Sequence, residues 1–249
     1  MGVYPIMYIL FDTGRLLDGI QDLRPYELPH HTEGGYTWHV FHRRHYTFTD
    51  SADDFRQALA WMRGDRQPPL YDGAEPERNV FYFTLGDPRD DDSRVVFEFL
   101  DDHQLLLPVD ARERHVVAQV SFNGSKNECF LSPFHPAWPI VRAVLAVTQP
   151  VHAHVTGDVF CTEDGSLDLE RIALGVEANT FIGPEQLAKL PDDAFAHFAV
   201  VERIGGGMWL TIPVPHPQGS QTVGAALCDR HWEAGRVLAQ QLSDAAPTL

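Results

Sequence analysis

An α+β fold is what this 249-residue sequence predicts: a mixed, largely antiparallel sheet with hairpins, flanked by helices and closed by a C-terminal amphipathic helix. Three observations predict it. Two pairs of apolar, aromatic and β-branched runs flank turn signals, at Gly86-Asp87-Pro88 and at Gly205-Gly206-Gly207. Helix-patterned segments are interleaved with these strands. The last long segment, 222–243, carries Val223, Leu227, Ala234, Leu238 and Leu242 on one helical stripe.

The elements follow in chain order. The apolar opening through Phe11 reads as the first strand. Residues 36–48, from Tyr36-Thr37-Trp38-His39 to Phe48, read as a long strand rich in aromatic types. Asp50 and Ser51 are N-cap candidates for a helix running to about Arg63. Asp53 and Asp54 stand in its first turn, and Phe55, Leu59 and Met62 lie on its apolar face. Residues 64–76 read as loop. Runs 80–85 and 95–100 form a hairpin with an acidic tip, and 116–122 is a further strand closed by Asn123-Gly124. The first half is thus strand-rich with one helix.

Pro136-Ala137-Trp138-Pro139 opens a helix that buries Ile140, Val141, Val144, Leu145 and Val147 and ends before Pro150. A strand over 151–160, a short helix over 167–174, a strand near 176–182 and a short helix from Pro184 follow. Strands 194–203 and 208–214 enclose the triple glycine. The chain is expected to form a single α+β domain, with a candidate seam near 123–133 where two halves of one sheet meet.

Charge narrows the partners. Acidic residues outnumber Lys and Arg by 35 to 19, a formal net charge of −16 that is spread over both halves. Such a field repels nucleic acid and anionic membrane and attracts basic proteins. All but two of the basic residues are arginine, which codon composition explains without invoking function. Cys129, Cys161 and Cys228 form an odd set without CxxC spacing, so no disulfide framework is expected. The N-terminal apolar run lacks a basic leader and meets Asp12 early, and no run reaches the roughly 18 residues of a membrane span. A cytoplasmic protein is the expectation.

Site chemistry is sparse. His152 and His154 share a face of a predicted strand, as metal ligands can, but no third ligand stands at a supporting spacing. Structural roles are the simpler reading, and a metal-dependent hydrolase using this pair with nearby carboxylates is the alternative. His39, His42 and His45 cannot converge on one ion from a strand, and His231 reads as a core residue of the last helix. The triple glycine is followed by a strand and so offers no helix N-terminus to an anion. Gly124-Ser125-Lys126 lacks the upstream glycine of a P-loop, and no GxSxG elbow occurs. An enzyme is not expected, nor is a cofactor. A solvated hairpin tip and a solvated turn are the simpler readings of the acidic clusters, and Asp87, Asp90, Asp91 and Asp92 at the hairpin tip, Asp101 and Asp102 after it, and Glu163, Asp164 and Asp168 in a later turn are the candidate partner-facing acids. The tip lacks the glycine and terminal glutamate of an EF-hand.

The second half resembles a known family. Trp138 opening an apolar helix, the strand after Pro150, Asn179-Thr180-Phe181-Ile182-Gly183, the hairpin Gly205-Gly206-Gly207-Met208-Trp209-Leu210-Thr211-Ile212 and the closing amphipathic helix together resemble the immunity protein 52 family, over about residues 130–243. The resemblance implies a non-catalytic α+β protein of the cytoplasm. Its partner would be a cognate bacterial toxin or effector, such as a type VI-secreted nuclease, and no family catalytic residue exists to carry over. The charge agrees in one respect. A nuclease holds phosphate on a basic surface, which an acidic inhibitor can occupy.

Overall fold

The computed structural model describes residues 6–28, 41–48, 51–62, 78–100, 114–122, 135–156, 169–177, 179–196, 198, 200–211 and 223–245. Its strands are β1 (Ile6–Asp12), β2 (Phe41–His45), β3 (Arg78–Asp87), β4 (Asp90–Phe99), β5 (His115–Phe122), β6 (His152–Thr156), β7 (Asn179–Ile182), β8 (Val200–Ile204) and β9 (Gly207–Thr211). Its α-helices are α1 (Thr13–Gly19), α2 (Ala52–Met62), α3 (Trp138–Thr148), α4 (Leu169–Leu174), α5 (Pro184–Leu187) and α6 (Val223–Ala245), and a 3₁₀ helix spans Ile20–Tyr26. The strands form one nine-stranded sheet in the order β2-β3-β4-β5-β1-β6-β7-β9-β8. The expected α+β architecture, with its closing C-terminal helix, is therefore present. The seam near 123–133 lies outside the described residues.

The first strand becomes the centre of the sheet. β1 pairs antiparallel with β5 on one side and β6 on the other, so the strands of the two halves meet along it. Every neighbouring pair is antiparallel except β2 and β3, which are parallel because α2 carries the chain back across the sheet between them.

Alternation along the strands sorts the core into two layers. On one face Met7, Ile9, Phe11, Phe81, Phe83, Phe97, Phe99, Val116, Val120, Val155, Phe181 and Trp209 are buried together with side chains of α1, the 3₁₀ helix, α2 and α3. Phe55 of α2 drives the docking there. Its ring lies edge-on to Tyr46 and to Phe81, each with centroids 4.9 Å apart, and to Phe99 at 5.6 Å. On the opposite face Tyr8, Leu10 and Val117 pack with Ile172 and Ala173 of α4, while Ile182, Met208 and Leu210 pack with Leu238 and Leu242 of α6.

Local sequence explains the helix ends. Ser51 caps α2 reciprocally: its Oγ accepts from the Asp54 backbone N–H at 3.2 Å, and Asp54 Oδ2 accepts from the Ser51 N–H at 2.9 Å. Phe55, Leu59 and Met62 are buried, as the spacing predicts, and Ala58 is buried with them. α3 ends at Gln149, in the left-handed region at φ 42°, with Pro150 next. Of its predicted core residues Val147 is only half-buried. Gly205, at φ +57°, turns the β8–β9 hairpin.

Several expectations need correction. α1 and the 3₁₀ helix are additions to the sequence-based expectation: the Asp12 carboxylate starts α1 by accepting the Arg15 N–H at 2.9 Å, although Gly14 and Gly19 weaken its helical pattern. The first half therefore holds more than one helical segment. The strand expected over 36–48 is β2, which ends at His45, and residues 36–40 lie outside the described set. Residues 194–196, expected to be extended, are turns closed by Ala194 N–H to Pro191 O at 3.0 Å and Ala196 N–H to Asp193 O at 3.0 Å. The expected loop at 64–76 lies outside the described residues.

Candidate functional site

The acidic hairpin tip is built from a two-residue turn. Asp87 and Asp90 pair across Pro88-Arg89, and the ladder is irregular between Leu85 and Asp87. Proline pre-sets the backbone at the first corner. The Asp87 carboxylate accepts the Arg89 N–H at 2.9 Å, and the Asp90 carboxylate accepts the Asp92 N–H at 3.1 Å. Beneath them Ser93, buried, accepts the Asp87 N–H at 2.6 Å and donates to the Asp90 carbonyl at 2.7 Å. Leu28 N–H donates to Thr84 O at 3.1 Å, and the Leu28 side chain lies where a Cβ on Gly86 would stand. The root of the tip is thereby fixed.

Residues 87–92 are all exposed, and the Asp91 side chain reaches 96%. Arg94 approaches Asp91 at 3.9 Å. Thus Asp87, Asp90, Asp91 and Asp92 do stand together on one preformed protrusion. Asp101, Asp102, Glu163, Asp164 and Asp168 lie outside the described residues. The exposed large apolar side chains among the described residues are Val201, Trp232 and Val237. They belong to β8 and α6, so among the described residues none of the exposed large apolar side chains stands on β3 or β4.

His152 and His154 do share a face of β6, and both are fully buried. Their rings lie 5.8 Å apart at 65°. His152 Nδ1 sits 2.9 Å from Gln186 Oε1 and Nε2 sits 2.8 Å from the Gly175 carbonyl, so protein oxygens occupy both positions a metal would need. Burial lowers its pKa below the ordinary 6.5, partly offset by the hydrogen bonds to Gln186 and Gly175. Among the described residues no group of three or more His, Cys, Asp and Glu is arranged to hold a metal ion. His39 lies outside those residues, as do the side chains of His42, His45 and His231.

Strand register brings together a row that sequence reasoning missed. Tyr82, Glu98, Gln119, Tyr8, His154 and Thr180 are successive partners across β3, β4, β5, β1, β6 and β7. Tyr82, Glu98 and Gln119 are half-buried, whereas Tyr8, His154 and Thr180 are buried. The Tyr8 and His154 rings lie 6.1 Å apart. Only alternation within each strand hints at this row, because its order depends on which strands pair.

Comparison with known proteins places the chain in no family. No protein-family model matches it. No curated protein matches it either. Among solved structures it is similar to "Pseudomonas aeruginosa T6SS protein PA0821", at 9% identity and a TM-score of 0.44, covering 98% of this chain and 82% of that one. Among the described residues no helix is long and apolar enough to cross a membrane.

Proposed function

We propose that this chain is a non-enzymatic immunity protein that binds a cognate bacterial toxin and neutralises it by covering its active site or substrate groove. The observation that carries this reading is the preformed acidic tip of the β3–β4 hairpin, exposed on a chain of net charge −16. A partner with a basic groove is drawn to such a surface and oriented by it, and fast capture matters when an incoming toxin must be stopped before it acts. A type VI-secreted nuclease effector is the toxin class that the sequence resemblance implies, and its phosphate-binding surface has the required sign. The protein acts in the cytoplasm in this reading, without cofactor or metal.

The test is genetic. Cells expressing the toxin encoded beside this gene are expected to survive when the chain is co-expressed and to die without it. Equal killing in both cultures, with the chain present and folded, would remove the proposal.

A further inference from the structure

The buried ring of His152 has too few protons for its surroundings when neutral. The carbonyls of Gly175 and Ala173 can only accept. Gln186 Nε2 donates to the Ala173 carbonyl at 2.9 Å, which turns Gln186 Oε1 toward His152 Nδ1 at 2.9 Å, while Nε2 of the ring faces the Gly175 carbonyl at 2.8 Å. Both ring nitrogens therefore face acceptors. A neutral imidazole donates from one nitrogen only. With the proton on Nε2, a lone pair on Nδ1 opposes Gln186 Oε1; with it on Nδ1, a lone pair on Nε2 opposes the Gly175 carbonyl. Turning the Gln186 amide over only moves the conflict to the Ala173 carbonyl. The imidazolium alone satisfies all three contacts.

We propose that His152 is a proton-operated latch: on taking up a proton its ring donates from both nitrogens and fastens the Gly175 segment after α4 and Gln186 of α5 to β6, and the neutral ring leaves one of those ties unmade. The latched elements are short. α5 is a four-residue helix closed by Leu187 N–H to Gly183 O at 2.9 Å and Ala188 N–H to Pro184 O at 3.0 Å. The titratable groups facing the latch are few in the described residues. His154 lies on the same strand face with its ring 5.8 Å away, and Tyr8 of β1 lies beyond it. The strand partners of His152 are Leu10 and Ile182, both apolar. Glu177 is half-buried in the segment after α4, Glu185 of α5 is exposed and paired with Arg15, and the Glu170 and Arg171 side chains of α4 lie outside the described residues. Burial opposes the charge and the two acceptors favour it, so uptake comes below the ordinary midpoint of 6.5.

The experiment is a titration of ¹⁵N-histidine-labelled protein between about pH 8 and about pH 5, the range in which imidazole changes charge. Both His152 nitrogens are expected to move together to the protonated state at a midpoint below that of an exposed histidine. Hydrogen exchange of the Leu187 and Ala188 amides, corrected for intrinsic pH dependence, is expected to slow across the same midpoint. In Gln186→Leu the slowing should vanish while the ring still titrates. A ring that stays neutral until acid unfolding, or α5 protection that is blind to the His152 midpoint, overturns the proposal. If Gln186→Leu does not fold, the wild-type titration decides alone.

Discussion

Neutralising the acidic tip tests whether its charge does the steering. In the triple variant Asp90→Asn, Asp91→Asn, Asp92→Asn the side chains keep their shape, and the new amide at position 90 still offers an oxygen to the residue-92 N–H, a 3.1 Å bond in the wild type. The Asp91 side chain is 96% exposed, so the dielectric of water governs its reach. At about 10 Å from a partner's cation, one unscreened charge then contributes about 0.4 kcal/mol. Three contribute about 1.2 kcal/mol, which corresponds to a roughly eightfold slower association at low salt. With a Debye length of about 8 Å at physiological ionic strength, the difference shrinks to about twofold. Stopped-flow association with the toxin proposed as partner at two salt concentrations measures both values, and thermal unfolding should agree with wild type to within about 0.5 kcal/mol. An association rate at low salt equal to that of the wild type would refute the steering argument.

Three further perturbations test the fold that carries the tip. Phe55→Ala empties the aromatic contact between α2 and the sheet and should cost about 3–5 kcal/mol in urea unfolding; a loss under about 1 kcal/mol would mean that α2 does not dock through Phe55. Gly183→Ala places a methyl group against the Pro150 and Val151 carbonyls, backbone atoms that cannot swing aside, and should destabilise by about 1–3 kcal/mol. A neutral result in the same unfolding assay would show that the β6–β7 edge has room there. His152 sets a pH dependence. Its folded pKa lies below the ordinary 6.5, so the unfolded chain binds that proton more readily. This contribution to global stability is full above about pH 6.5 and is lost as pH falls toward the folded pKa, because global unfolding exposes the ring, whereas the latch acts on local openings of α5 in which His152 stays buried. His152→Gln should flatten that part of the stability profile, and an unchanged slope would contradict the sign.

How much of this is legible in sequence depends on range. Apolar and β-branched runs beside turn signals locate β3, β4, β5 and β9, because both are written locally, and the Ser51 cap together with Phe55, Leu59 and Met62 locates α2. α1 escapes because two glycines in seven residues leave too little pattern, although its Asp12 cap could signal it. The tip is legible because a two-residue turn with proline and aspartates is a local signal. His152 and His154 are recognisable as neighbours on one face, yet the role of His152 is not. Gln186 stands 34 residues away, and only the β6–β7 pairing and the start of α5 at Pro184 bring it to the ring. The row from Tyr82 to Thr180 needs the full strand order, with β1 between β5 and β6, which no local pattern encodes.

The most direct measurement mixes the purified chain with the purified toxin proposed as its partner and follows toxin activity as the chain is titrated. A stable complex is expected, with toxin activity falling to zero as the complex saturates. A toxin that keeps full activity at saturating chain, or no complex at low salt, would contradict the account.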